Sequence, residues 1–431
     1  MTEAVSLLYG RGHRTASLPD GLDVTVARPE IREGVPDPVA EIQRALDHPI
    51  GAPTLRELAR GRRDAIILVC DLTRDVPDAT ILPLVLDELN EAGIPDASTR
   101  IMVAGGGHRP ITSEEARRRL GDVVLSRVER LDHDAADEST LVKIGTTGYG
   151  TPVWINRAVA ESDLVLGTGC IIPHVIAGYG GGRKLIIPGV AGEETIRRNH
   201  RPENVNRPGV GFCRLAGNVI HEELVEAARM AQLDFIVNVV WAPDGALVQA
   251  VAGDMEAAWE EGVRTADRMY AFPMMHPVDL LVTSGGGSPT DVNFYQAVRG
   301  MQVGVPVLRP GGAIVLAAEC TEGVGSEPLY TWLRDAARPE EVLRRRDQEG
   351  FGVRGEHIAC YLCERVFPHH RVVLVSSLPD LQVREMMMTP ADSVDAAIEA
   401  ALQDLDVQSP SALVNPYGAK AVPRLRGDHD V

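Results

Sequence analysis

Residues 65–109 read AIILVCDLTRDVPDATILPLVLDELNEAGIPDASTRIMVAGGGHR. Residues 65–70 form an unbroken apolar run, short enough for a strand buried on both faces. A charged loop, Asp71 to Arg74, comes next, and helix signals then run over residues 77–92. Residues 100–104 are a second apolar run, closed by three glycines and His108. Strand, helix and strand in that order predict a parallel pair. The alternation continues along the chain. Residues 163–167, 235–240, 279–283, 313–318 and 371–376 read as further strands, and 113–120 and 254–269 as helices. The fold class expected is α/β, with two α/β domains of mostly parallel sheet and the active site in the cleft between them. Pro273 to Pro277 is the best break, dividing a first domain of residues 1–273 from a smaller one of residues 274–402. The Pro-containing tail, residues 403–431, is expected to pack back on the first domain.

Composition limits the function classes. The chain has 431 residues, 44% hydrophobic and 24% charged, as in soluble globular proteins. Its 43 basic and 61 acidic residues leave a net charge of −18, which opposes a broad nucleic-acid surface. No apolar run reaches membrane-spanning length, so no membrane partner is expected. The start lacks a basic segment followed by an apolar one, and six cysteines are sparse for this length. A reducing, cytoplasmic setting is therefore expected. Only three lysines, Lys143, Lys184 and Lys420, stand among the 43 basic residues. Genomic base composition explains most of that bias. It still draws attention to each lysine, because arginine cannot do a primary amine's covalent chemistry.

In open parallel sheets ligands bind beyond the carboxyl ends of the strands. The loops there hold the candidate residues. Asp71 and Arg74 share one loop, where Asp71 can orient a histidine and Arg74 can fork onto a carboxylate. His108 closes the triple-glycine turn and can act as acid or base near neutrality. His174 opens the stretch PHVIAGYGGGRKLIIPG (173–189). Its glycines Gly178, Gly180, Gly181 and Gly182 can cradle an anion with their amides. Leu185 stands where a P-loop needs a hydroxyl, so this is no P-loop. Lys184 precedes an apolar pair, Ile186 and Ile187, which favours a neutral amine. Both a cofactor-linked lysine and a phosphate-contacting cation fit it. His200, in NHRPEN (199–204), is a possible metal ligand, though one histidine alone makes a poor site. His221-Glu222-Glu223 reads better as a polar helix start. In NFYQAVR (293–299), Tyr295, Gln296 and Arg299 fall within one helical turn of each other. Cys360 and Cys363, near His357, lack the second pair of a zinc site and read as core cysteines. His369 and His370 read as surface or turn residues.

Taken together, DLTR (71–74), GGGHRP (105–110), PHVIAGYGGGRKLIIPG (173–189), NH (199–200) and YQAVRG (295–300) resemble the lactate racemase family of nickel-pincer enzymes. The resemblance runs in order over roughly residues 5–420. It implies a cofactor-binding first domain and the nickel-pincer nucleotide as cofactor. This is nickel held in a pyridinium-3,5-bisthiocarboxylic acid mononucleotide. Lys184 matches the lysine that holds it through a thioamide, within the loop of Gly180, Gly181, Gly182 and Arg183. His200 matches the protein ligand to nickel. His108 and His174 match two acid/base histidines. Asp71, Arg74, Tyr295, Gln296 and Arg299 fall on the substrate side.

The implied activity is racemisation or epimerisation of a 2-hydroxy acid by reversible hydride transfer. Removing hydride from C2 avoids deprotonating a weakly acidic carbon and leaves a planar 2-keto acid. Hydride return to either face gives either enantiomer, and two bases meet the two hydroxyl positions. Proteins that make the cofactor are implied partners. Arg299 stands where the family usually has lysine, Gly107 where threonine is frequent, and Gly180 where serine is frequent. Arg299 keeps the charge but changes donor geometry, so the acid it meets need not be lactate. Malate-like diacids and sugar acids stay open. The alternative is an inactive carrier of the cofactor, and a pyridoxal-type lysine enzyme is a third reading.

Overall fold

The structure is a computed structural model that describes residues 4–426 other than 31, 353 and 404. Ala65–Cys70 is a strand with almost every residue buried, as its unbroken apolar run requires. It lies inside a six-stranded sheet. In spatial order the strands are Leu247–Gly253, Leu233–Trp241, Val165–Ile171, Ala65–Cys70, Thr99–Ala104 and Glu129–Asp132. All neighbours are parallel except Leu233–Trp241 with Leu247–Gly253. The chain starts at Ala65–Cys70, steps outward twice on one side, then returns to the other side through Val165–Ile171. That reversal makes the carboxyl ends of Ala65–Cys70 and Val165–Ile171 a topological switch point, where ligands bind in such sheets.

The strand expected over 163–167 runs on to Ile171 and is buried throughout. Gly167 and Gly169 allow this. A Cβ at Gly167 would stand 2.3 Å from Leu185, and one at Gly169 3.4 Å from the Gly181 Cα. The strand has given up side chains so that the lysine loop can lie directly on it.

A second six-stranded sheet is wholly parallel. Its order is Thr389–Pro390, Arg371–Val375, Leu308–Ala317, Val278–Ser284, Ser411–Asn415 and Asp23–Val26. Alternate residues feed two cores. Ile314 and Leu316 join a cluster with Phe294, Trp332, Cys360 and Cys363, whereas Ala313, Val315 and Ala317 join one with Val394 and Ile398. Cys360 and Cys363 are thus core residues, as the sequence predicts. His370 is not a surface residue. It is buried, with Nδ1 3.2 Å from the carbonyl oxygen of Gly312.

The chain divides into two units, and the division corrects the expected boundaries. One unit comprises residues 32–269; the other joins residues 4–30 to residues 270–426. The described part of the tail, residues 405–426, belongs to the second of these units. Ser411–Asn415 sits between Val278–Ser284 and Asp23–Val26, and Val422–Leu425 pairs with Ala271–Met274. Backbone pairing decided this, because a short strand with two flanking partners satisfies both edges. No helix among the described residues is long and apolar enough to cross a membrane.

Candidate functional site

Within the 32–269 unit, three adjacent strands end in the candidate loops. After Cys70, Asp71 turns inward. Its Oδ1 accepts from the Thr73 amide at 3.1 Å and the Thr73 hydroxyl at 2.6 Å. Its Oδ2 lies 2.5 Å from Nδ1 of His108, which the next loop carries. Burial alone would raise the Asp71 carboxyl. The hydrogen bonds from His108 and Thr73 and the nearby Arg74 charge outweigh it and hold the group down to about 2. An ionised Asp71 accepts from Nδ1–H, so a neutral His108 keeps its lone pair on Nε2. The triple-glycine turn makes the approach possible. Gly106 has φ +57°, its amide donates to the carbonyl of Gly189 at 2.9 Å, and the His108 amide closes the turn onto Gly105 at 3.1 Å. The 105–109 turn and the 188–189 end of the lysine loop are therefore pinned together.

Arg74 donates to the carbonyl of Thr73 at 2.8 Å and to its hydroxyl at 3.2 Å. A residue outside the sequence prediction holds its backbone. Arg119 donates to the Arg74 carbonyl at 2.6 Å and to the fully buried Asp78 at 2.7 Å, which also accepts from Thr168 at 2.6 Å.

His174 lies in a two-residue strand paired with Gly178–Tyr179. Its Nδ1 accepts from the amides of Ala177 at 3.2 Å and Ile176 at 3.4 Å. A neutral His174 in this setting carries its proton on Nε2. The two histidines are thus arranged oppositely: His108 Nε2 is an acceptor and His174 Nε2 a donor.

The glycine loop works differently from the sequence expectation. The amide of Gly180 donates to the Ile172 carbonyl at 2.8 Å, and that of Gly182 to Oδ1 of Asn238 at 3.0 Å. These two of the four glycine amides are spent inside the protein. The glycines are there for contact: Cβ atoms at Gly178 and Gly181 would stand 2.4 Å from the Arg214 carbonyl and 2.3 Å from Asn238, both at positive φ. Arg183, expected on the cofactor side, is instead fully buried and turned inward. Lys184, next to it, is half-buried as a residue. Burial, then the charges of Arg74 and Arg183, lower its amine to about 7.

His200 caps the Glu193–Asn199 helix, its amide on the Ile196 carbonyl at 2.9 Å. Glu223 is wholly buried and accepts from Asn199 at 2.9 Å and from Thr147 at 2.6 Å, which fixes the segment that carries His200. Two residues earlier on the same helix, Val219–Met230, His221 accepts from Arg183 at 3.0 Å. Burial and the Arg183 charge lower His221 to about 3, so it is a neutral acceptor and not part of a metal cluster. Among the described residues no group of three or more His, Cys, Asp or Glu could hold a metal ion.

Tyr295, Gln296 and Arg299 belong to the other unit. They lie on the Phe294–Gln302 helix, whose N-cap Asn293 accepts from the Gln296 amide at 3.0 Å. Arg299 donates to the side-chain oxygen of Gln296 and to its carbonyl, so the two form one rigid pair. Tyr295 meets His357 edge-on, ring centres 6.3 Å apart.

A two-unit α/β chain with an Asp–His dyad, a second histidine and an activated lysine at a sheet switch point defines a class of site. The comparisons give it a family. The lactate racemase N-terminal domain matches residues 9–210 and the lactate racemase C-terminal domain residues 274–421. The chain is 38% identical over 363 residues to the lactate racemase of Lactiplantibacillus plantarum, covering 84% of this chain and 85% of that one. It is 34% identical over 365 residues to the lactate racemase of Thermoanaerobacterium thermosaccharolyticum, 84% of each. The lactate racemase apoprotein structure from that organism superposes with a TM-score of 0.91 at 32% identity, over 98% of this chain and all of that one. A Thermotoga maritima protein shares the fold alone, with a TM-score of 0.65 at 18% identity. The chain belongs to the lactate racemase family.

Proposed function

We propose that this chain racemises a 2-hydroxy acid, lactate or a close relative, with a nickel-pincer nucleotide bound at Lys184. The observation that carries the reading is the Asp71–His108 pair at 2.5 Å, opposed in protonation by His174. Together they serve a substrate whose hydroxyl must lose and regain a proton.

The residues present fit such a group. Lys184 offers an amine lowered to about 7 beside a loop packed tightly on the sheet. His200 is a single nitrogen donor, and without a metal cluster among the described residues the remaining donors would come from the organic group. Lys184 would hold the nucleotide and His200 its metal. When bound, the group supplies a reversible acceptor for the hydride of C2.

The chain's residues do the rest. Arg74 fixes the substrate carboxylate, which orients C2. Gln296 and Arg299 are a second anion-binding pair in this reading. His108 takes the hydroxyl proton at Nε2 from one enantiomer, and Asp71 stabilises the imidazolium that forms. His174 serves the other face: starting as imidazolium, it returns a proton to the oxygen and ends neutral, and the two exchange roles in the reverse direction.

Expression together with cofactor-making proteins, followed by chiral chromatography of single enantiomers of lactate, malate and 2-hydroxybutyrate, tests this. Loss of optical purity is the expected result. A nickel-loaded protein that leaves every acid optically pure would show that the chain only carries the cofactor.

A further inference from the structure

Arg183 is the most unusual buried group in the protein. It is fully buried, and no carboxylate hydrogen bonds to it among the described residues. Its guanidinium donates instead to the carbonyls of Ala177 at 2.8 Å, Tyr179 at 3.2 Å and Gly181 at 3.5 Å, and to Nδ1 of His221 at 3.0 Å. The guanidinium carbon lies 3.5 Å from the centre of the Trp259 ring, which in turn stacks on His221 at 5.4 Å. Trp259 also ties down the loop, donating from Nε1 to the carbonyl of Gly180 at 2.8 Å. Three nitrogens, Nη1 and Nη2 of Arg183 and Nε1 of Trp259, thus grip four carbonyls of residues 177–181. Arginine stays protonated even here, so this is a fixed charge with no carboxylate hydrogen-bonded to it, Glu256 acting on it only through space. Leaving a charge buried in that way costs stability.

We propose that Arg183 is a positioning residue for Lys184. Its planar fork splints the 177–181 loop from behind, and its charge sits one residue away from an amine that has to act uncharged. Lysine could not reproduce the splint, since a single ammonium cannot span three carbonyls. The inference rests on Lys184 being the reactive amine of the proposed function. It adds that the residue beside it, hidden from any ligand, sets that reactivity. The second cation works in the direction that burial works, disfavouring the ammonium form of Lys184.

The test uses the full chain expressed without cofactor-making proteins. Trinitrobenzenesulfonate labels neutral amines: the amine nitrogen bonds to the ring, sulfite leaves and a proton is released. Peptide mass spectrometry reads Lys184 separately from Lys143 and Lys420. In the wild type, Lys184 should label half-maximally near pH 7. In Arg183→Met the midpoint should rise by at least one pH unit, about a fivefold or greater loss of labelling rate at pH 7. Arg183→Lys, which keeps a charge and loses the fork, should move the same way. An Arg183→Lys profile identical to the wild type would overturn the splint. An Arg183→Met variant that folds and labels like the wild type would overturn the whole proposal. If Arg183→Met does not fold, His221→Ala decides, since it removes the acceptor of the Arg183 Nε–H and the ring stacked on Trp259 but keeps the guanidinium, and should give a smaller upward shift; no shift there rejects the idea. A wild-type Lys184 that labels only near pH 10 would instead reject the reading of Lys184 as an activated amine, independently of Arg183.

Discussion

Asp71 Oδ2 and His108 Nδ1 lie 2.5 Å apart although the residues come from different strand-end loops. Asp71 is buried, whereas His108 keeps 41% of its side chain accessible, so the carboxylate is the fixed member and the imidazole the working one. Asn at 71 can still occupy the space but offers no charge to an imidazolium. Asp71→Asn is expected to lower kcat about 100-fold or more, the usual scale of positioned acid–base catalysis, with little change in KM. Steady-state racemisation followed by polarimetry checks this. The pH dependence has a definite sign. Asp71 titrates near 2 folded against an ordinary 3.8, so its contribution is whole above about pH 4 and disappears as pH falls through 2. Asp71 should therefore give no slope in stability between pH 5 and 8.

The lysine at the site carries a stability cost that its removal should reveal. Lys184 loses its proton near pH 7 in the folded chain and near 10.5 when unfolded. Between those values the unfolded chain binds one more proton, so stability rises with pH across that window. Lys184→Met is expected to raise the melting temperature most at pH 7 and below, by an amount worth at most a few kcal/mol, and to match the wild type near pH 10.5. Calorimetry of both apoproteins from pH 6 to 10 reads the convergence. A constant difference at every pH would mean the effect is packing and not titration.

The buried pair Asp78–Arg119 supports Arg74 from below. Arg119 is bound to Asp78 at 2.7 Å and to the Arg74 carbonyl at 2.6 Å, so its loss strands a carboxylate and frees a loop. Breaking one partner of a buried pair costs about 3–5 kcal/mol. Arg119→Ala should lose that much stability and raise KM for the acid by more than it lowers kcat. Asp78→Leu combined with Arg119→Met should recover most of the stability and leave KM raised. Thermal unfolding and initial-rate kinetics on the three proteins separate the two effects.

Much of this was legible in the chain, and the parts that were not have physical reasons. Strands such as Ala65–Cys70 announce themselves because burial on both faces leaves an apolar run. Asp23–Val26 and Ser411–Asn415 do not, since each is short and its place depends on partners far away in sequence. At the site, the chemical residues stood out by type and loop position. Their supports did not. Glu223 gave one usable signal: it falls on the apolar stripe of Ile220, Leu224 and Ala227, where a carboxylate needs a reason. Trp259 and Asn238 gave none, because an indole or an amide inside an apolar segment looks like ordinary core until its partner is known. The glycine run was read for its amides, yet Gly178 and Gly181 are needed for the space a side chain would fill.

The tail provides the last test, because two placements predict opposite outcomes. A chain ending at residue 403 lacks Ser411–Asn415 and Val422–Leu425. The first of these stands between Val278–Ser284 and Asp23–Val26, so its loss opens the sheet and strands Asp23–Val26 from its partner. Asn415 goes too, with its buried hydrogen bonds to the carbonyls of Gly418 at 3.0 Å and Ala421 at 2.9 Å. Unmade sheet hydrogen bonds at about 1 kcal/mol each and an uncovered apolar strand are together comparable with the roughly 5–15 kcal/mol by which domains are typically stable. Truncation should therefore abolish the cooperative unfolding of residues 4–30 with 270–403, leaving residues 32–269 resistant to protease. Had the tail packed on the first domain, the protease-sensitive region would be the opposite one. Limited proteolysis with mass spectrometry of the fragments distinguishes them, since cleavage within 278–375 supports the observed sheet and cleavage within 65–253 contradicts it.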